Sequence, residues 1–381
     1  MRRWPKVALG DVCVPVERFV TPSAGTAYRQ LGVRLWGEGA YERENIDGGD
    51  TKYSKFNRLE ANDLVVNKIW ARNGSVAVVP QELAGTYVSG EFPTFALDQD
   101  RADPRWIRLI TKWRGFWNLC NEKAQGTSGK NRIKPSQFLA IQIPLPPLAE
   151  QQAIVSRLDA LADKVRQVNE HLDAIEKKAA ALFLSLHYKL SGDRVRRLGD
   201  VVELHEEHVP VRADSEYPQV GVRSFGGGLF PKAAVAGTET SYKAFNRLYV
   251  DALVLSQVKG WEGALALCPT ELAGMYVSPE YRTFRCVPGE AMPAYIGELV
   301  RTPWFWSLLQ EATRGVGARR ERTRPEQFLN IELPMPPENM QRKVVEILAR
   351  QSSLRLRHTT IRQANDALIP AMLERVFSEA H

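Results

Sequence analysis

The sequence has 381 residues and carries 51 Lys+Arg against 44 Asp+Glu, a formal charge of +7. Apolar residues are 44 % and charged residues 25 %, a globular mix that excludes wholesale disorder, and the length suggests two or three domains. The four cysteines (Cys13, Cys120, Cys268, Cys286) form no Cys-x-x-Cys pair, and no apolar run approaches the ~20 residues that cross a bilayer, so a cytoplasmic chain without signal peptide, disulfide framework or zinc site is expected.

In chain order, the first β-type runs are Leu64–Ile69 and Ser75–Val79, with Gly74 just before the second, which predicts a hairpin-like pair. Trp106–Asn118 reads as a helix with aromatics on its inner face. The stretch Ile143-Pro-Leu-Pro-Pro147 is a stop and a helix start, since proline pre-sets φ and suits the first helical turn. From 148 to 190 the chain has no glycine or proline. Its apolar residues there (Ile154, Leu158, Leu161, Val165, Val168, Leu172, Ile175, Ala179, Leu182, Leu186) recur at four and three, a coiled-coil seam. Further on, Leu253–Val258 and Ala264–Leu267 predict a second hairpin, with Gly263 before its second strand, and Tyr295–Gln310 a second helix. After Pro336-Pro337 a second long helix begins. Leu354, Ile361 and Leu368 keep the seven-residue period, but His358 and Asn365 take the seam positions between them, and Pro370 predicts a break.

These elements come twice. Setting residue n against n+189 makes about 29 of the 68 positions from Tyr28 to Phe95 identical without a gap. Phe56-Asn57-Arg58-Leu59 falls on Phe245-Asn246-Arg247-Leu248, and Glu82-Leu83-Ala84-Gly85 on Glu271-Leu272-Ala273-Gly274. After one inserted residue, Ile143-Pro-Leu-Pro-Pro147 matches Leu333-Pro-Met-Pro-Pro337. The period is too long for a solenoid. The expected fold class is α+β: two tandem mixed domains (1–146 and 191–336) joined by two long helices (147–190 and 337–381). The helices would form an antiparallel coiled coil with pseudo-two-fold symmetry. Such a layout suits a reader of two similar targets, because DNA presents equivalent half-sites.

The motif Phe138-Leu-Ala-Ile-Gln-Ile-Pro-Leu-Pro-Pro-Leu-Ala-Glu-Gln-Gln152 heading a heptad helix follows Gly126-Thr-Ser-Gly-Lys-Asn-Arg-Ile133. With the two-copy layout, this resembles the HsdS-like specificity subunit of type I restriction–modification systems. The resemblance covers essentially the whole chain. The second copy departs from it in two places. Pro337-Glu-Asn-Met-Gln341 lacks the Glu-Gln pair, and Gly315–Arg324 is richer in arginine. The resemblance implies a non-catalytic chain. Each domain would read one half of a bipartite, asymmetric DNA target, and the helices would set the spacer. Partners would be double-stranded DNA, two methyltransferase subunits and, in the full complex, ATP-driven restriction subunits. S-adenosylmethionine and ATP would belong to those partners and no cofactor to this chain. A type IIB recognition subunit and a coiled-coil protein-binding scaffold are the alternatives.

The residues themselves offer no catalytic set. Gly126–Lys130 is not a phosphate loop, because Ala124 stands where glycine is needed and Asn131 follows the lysine. His205-Glu-Glu-His208 misses the His-Glu-x-x-His zinc pattern, and Phe225-Gly-Gly-Gly228, opposite Trp36-Gly-Glu-Gly39, reads as a shared turn. The duplication is an internal control: residues the fold needs should agree between copies, and residues reading different bases should differ. Pro80–Ser89 and Pro269–Ser278 agree at eight of ten positions and are assigned to structure. Asn67–Asn73 and Ser256–Glu262 agree nowhere, yet carry the residue types that read base edges. Lys68, Arg72 and Asn73, with Gln257, Lys259 and Glu262, are expected to read bases. Trp70 and Trp261 are expected to pack on sugars or flank the loop. Lys130, Arg132 and Lys134, with Arg319, Arg320, Arg322 and Arg324, are expected on phosphates. Glu150, Gln151 and Gln341 at the helix starts are expected to touch the partner.

Overall fold

The computed structural model describes residues 4–124, 132–313 and 322–378. It divides into two compact units, residues 1–170 with 359–381 and residues 171–358, so each unit holds one copy of the globular domain and part of both long helices.

In the first unit a four-stranded antiparallel sheet runs Val76–Val78, Leu64–Val66, Thr94–Leu97, Cys13–Pro15. The expected hairpin is present with Val66 opposite Val76 and Leu64 opposite Val78. It stops at Val66 rather than Ile69, because Asn67 begins a turn. Strands alternate their side chains between faces, and here both faces are apolar. Leu64, Val66 and Val76 enter the larger core with Phe95, Trp106, Phe116 and Phe138. Val65 and Ala77 enter a smaller one with Leu31, Val33, Leu59 and Val88. Phe56 and Leu59 are buried, and Asn57 donates to the Val16 carbonyl (3.1 Å) and accepts from the Arg18 amide (2.7 Å), so that shared motif is internal scaffolding. A two-stranded pair, Lys6–Ala8 with Gln142–Pro144, closes the domain just before the proline pair.

The expected helix over 106–118 is two helices, α1 (Pro104–Lys112) and α2 (Arg114–Lys123). Trp113 between them takes an extended conformation that puts its ring against Phe377 in the core, 5.1 Å between centroids. After α3 (Pro135–Leu139), α4 (Leu148–Ser191) is the first long helix.

The second unit repeats the plan. Its sheet runs Val202–Leu204, Tyr281–Cys286, Leu253–Ser256, Leu265–Leu267, with Leu253 and Leu255 on one core and Val254 on the other. Val195–Arg197 pairs with Glu332–Pro334 as the closing strand. The expected helix over 295–310 is again broken, into α5 (Pro293–Leu299) and α6 (Pro303–Thr313). Pro303 belongs at a helix start, and the Thr302 hydroxyl accepts from the Phe305 amide at 3.2 Å to cap it. Beyond α7 (Pro325–Leu329), α8 (Glu338–Ser378) is the second long helix. It runs through Pro370 without the expected break.

Within each unit the two long helices run antiparallel against the domain. In the first, Val155 and Leu158 of α4 share a core with Leu373 and Phe377 of α8, and Asn365 donates to Asn169 at 2.8 Å. In the second, Phe183 of α4 shares a core with Val344 of α8, and His358 lies 3.7 Å from Glu176. The expected seam is only partly closed. Ile175 and Leu182 are about half exposed, while the neighbouring Phe183 is buried against Tyr295. A straight helix drifts from a 3.5-residue seam, and here it turns toward the domain instead.

Candidate nucleic-acid interface

In the first unit the dissimilar segment 67–73 leaves the sheet as a tight turn. The Asn67 carboxamide accepts from the Ile69 and Trp70 amides (3.0 and 3.3 Å), and the loop closes on Gly74 at φ 77°. In the second unit the Ser256 hydroxyl accepts from the Lys259 amide (3.3 Å), and Gly263 closes the loop at φ 73°. Glycine is required at both places. A Cβ on Gly74 would lie 2.7 Å from the Trp117 ring, and one on Gly263 2.6 Å from Trp306. These two tryptophans are platforms, each pinned by its indole N–H to a backbone carbonyl at 2.8 Å, Thr111 and Val300 respectively.

Two other segments meet each loop. The chain after the undescribed stretch returns to it: Ile133 donates its amide to the Lys68 carbonyl (2.9 Å) and Thr323 to Gln257 (2.8 Å). This brings Arg132 and Lys134, and Arg322 and Arg324, beside the dissimilar loops, all four exposed. Arg132 pairs with Glu91 at 3.1 Å and Arg322 with Glu280 at 3.2 Å. The turns 36–39 and 225–228 meet it from the other side. The Trp36 amide donates to the Asn73 carbonyl (2.7 Å) and the Phe225 amide to the Glu262 carbonyl (2.9 Å). Each unit therefore holds one shared frame around a segment that differs.

Several expected base readers already have partners. Lys68 donates to the Gly90 carbonyl (2.6 Å) and Gln257 to that of Pro279 (3.3 Å). Glu262 accepts from the Ser224 hydroxyl (2.7 Å) and lies 3.9 Å from the Lys259 ammonium. Trp70 and Trp261 are exposed, while Arg72 and Asn73 are half-buried. Trp70 and Asn67 also line a groove of about 810 Å³, with Gln30, Tyr41, Tyr53 and Glu91. The buried Gln30 amide nitrogen on that wall has no hydrogen-bond partner. Lys130, Arg319 and Arg320 lie outside the described residues.

At the helix starts, the two glutamines expected to touch the partner are bonded within their own domains. Gln151 and Gln341 are fully enclosed. The Gln151 amide donates to the carbonyls of Arg101 (2.9 Å) and Pro146 (2.8 Å) and accepts from the Asp103 amide (2.9 Å). Gln341 does the same with Glu290 (2.8 Å), Pro336 (2.8 Å) and Met292 (2.9 Å). No polar atom is left for a partner, and each side chain clasps its long helix to its own domain. Glu150 is half-buried and accepts from the Trp4 indole at 3.2 Å.

Among the described residues no group of three His, Cys, Asp or Glu could hold a metal ion, and no helix is long and apolar enough to cross a membrane. Burial pushes the thiols of Cys13 and Cys286 up to about 12 and that of Cys268 to about 11, so they stay protonated and are poor nucleophiles. Sequence reasoning did not single out the platform tryptophans, the turn aromatics or the Glu91/Glu280 pair. All six align in the n+189 register, so the signal was there, but similarity alone gives no position.

A family model of the type I restriction modification DNA specificity domain matches residues 1–177. A type I restriction enzyme specificity subunit of Salmonella potsdam, StySPI, is 36 % identical over 72 residues, which is 19 % of this chain and 15 % of that protein's length. Two solved structures share the fold. One is the HsdS subunit of Thermoanaerobacter tengcongensis (TM-score 0.51, 17 % identity, 99 % of this chain and 96 % of that one). The other is a chain from a structure of type I R-M complex assembly and conformational transition (TM-score 0.60, 16 % identity, 100 % and 97 %).

Proposed function

We propose, for a chain that is HsdS-like in its domain match and its fold, that it is the non-catalytic DNA-recognition subunit of a type I restriction–modification complex. Residues 1–146 and 191–336 each read one part of a bipartite, asymmetric DNA target. Residues 147–190 and 337–381 link them and carry the contacts to two methyltransferase subunits. The observation that carries this reading is the repeated frame. Trp117 and Trp306, Gly74 and Gly263, and the Glu91–Arg132 and Glu280–Arg322 pairs recur, while the residues they present differ throughout. A fixed frame with exchanged polar side chains supports reading two different base sequences by donors and acceptors. Lys134 and Arg324, with Arg132 and Arg322, supply sequence-independent attraction to phosphate beside the readers. Lys130, Arg319 and Arg320 belong to the same proposal. Chemistry on the base, and any S-adenosylmethionine or ATP, falls to the partner subunits.

The test is selection of random-sequence duplex DNA by the full chain in the assembly it is purified in from its host. Enrichment of two unlike short sequences separated by a fixed number of unread positions is expected. Binding without enrichment, or no binding to duplex, contradicts the proposal.

A further inference from the structure

Trp36 and Phe225 occupy equivalent places in the two copies, and folding alone does not account for either. Both have left-handed backbone, φ 59° and 55°, a conformation that is an outlier for bulky side chains. Both rings are mainly outside, 57 % and 66 % exposed. The turns already use glycine at positive φ, at Gly37 and Gly39 and at Gly226 and Gly228, so glycine would suit positions 36 and 225 as well. An exposed aromatic ring is kept in both copies instead, while the neighbours change from Leu35 to Ser224 and from Glu38 to Gly227. Strain of this kind gathers where a ligand is held.

The location names the ligand. Each ring leans on the platform of its own unit, Trp36 on Trp117 (5.9 Å between centroids) and Phe225 on Trp306 (5.8 Å). Each backbone amide is tied to the last residue of the dissimilar loop, Asn73 or Glu262. The exposed ring therefore sits beside that loop. Base readers must differ between two unlike half-sites; a contact common to any sequence need not. An aromatic face suits any duplex sequence, because every deoxyribose presents the same apolar side.

We propose that Trp36 and Phe225 are aromatic plates, one per recognition domain, that pack on the deoxyribose and groove edge of a nucleotide flanking the half-site. They add affinity without adding sequence preference. This rests on the recognition function proposed above.

The experiment uses the full chain, purified as above, and the duplex that the unaltered chain selects. Trp36→Gly should keep or raise the thermal midpoint, since the strain is relieved. It should bind the duplex about ten-fold more weakly, as the loss of one ring buried on a sugar implies. Its selected sequence should not change. Phe225→Gly should do the same, and Trp36→Phe should restore binding. On the unaltered chain, irradiation of the duplex carrying 5-iodouracil at successive positions should cross-link the peptides that contain Trp36 and Phe225. Affinity within two-fold of the unaltered chain, an altered sequence preference, or no cross-link to either peptide from any position overturns the proposal while leaving DNA recognition intact. Failure of the unaltered chain to select any sequence defeats the recognition reading and this inference with it.

Discussion

Gln151 and Gln341 each close a ring of buried backbone: one amide side chain satisfies two carbonyls and one N–H at the point where a long helix leaves its domain. Truncation would leave the buried ones among those groups unpaired, at about 1–3 kcal/mol. Gln151→Ala is therefore expected to lower the unfolding free energy by that amount, read by urea denaturation. A partner-contact role would leave that free energy unchanged. His187 is the other residue with a measurable signature. It is fully buried beside Phe183, Trp304 and the Tyr295 hydroxyl, which lies 2.7 Å from Nδ1, and burial lowers it from 6.5 to about 4. Below pH 6.5 the unfolded chain takes up a proton that the folded chain refuses until about pH 4, so stability falls as pH drops through that window. At pH 5 the loss relative to pH 8 is on the order of 2 kcal/mol. Phe377 stands at the equivalent place in the other unit. His187→Phe should remove this part of the pH slope, seen in denaturation at pH 5 and pH 8. The Tyr295 hydroxyl is pushed up by burial and does not titrate there. An unchanged slope would mean that the imidazole is not the group responsible.

At the scale of elements, the loops 67–73 and 256–262 sit in matching mounts. Both start at the sheet, close on a left-handed glycine and rest on a tryptophan. Exchanging one for the other should change which sequence is read in one half of the target and leave the other half alone, as seen by repeating the duplex selection. An unaltered target with normal affinity would remove these loops from recognition. Much of this level was legible in the sequence, because short apolar runs rich in Val and Leu at Leu64–Val66 and Leu253–Ser256, bounded by turn residues, report a strand buried on both faces. The splitting of the short helices was less so. Pro303 marked one break openly, but the break at Trp113 comes from a ring drawn into a core that contains Phe377, and no local pattern reports a contact 264 positions away. The same limit applies to the glutamines. A polar residue at a helix start looks like a partner contact until the three backbone groups around it are placed. At Trp36 and Phe225 the alignment showed an aromatic opposite an aromatic, but only the backbone torsion showed that holding it there is costly.

Across the whole molecule, the charge of +7 is modest, so affinity for DNA should come from where cations sit more than from how many there are. Arg132 and Arg322 flank loops 67–73 and 256–262 in matching positions, each held by a glutamate. Replacing both with alanine should weaken binding to all duplexes alike and flatten the dependence of log affinity on log salt by about one unit for each phosphate no longer neutralised. A change of sequence preference at unaltered slope would make them base readers. If one chain reads two different sequences and directs methylation to them, the modified adenines record both. The most direct measurement maps methylated adenines by single-molecule sequencing in cells that carry the methyltransferase partner with and without this chain. A chain-dependent bipartite, asymmetric motif with one modified adenine in each half, on opposite strands, is expected. A stable complex with the methyltransferase and no chain-dependent motif would contradict it.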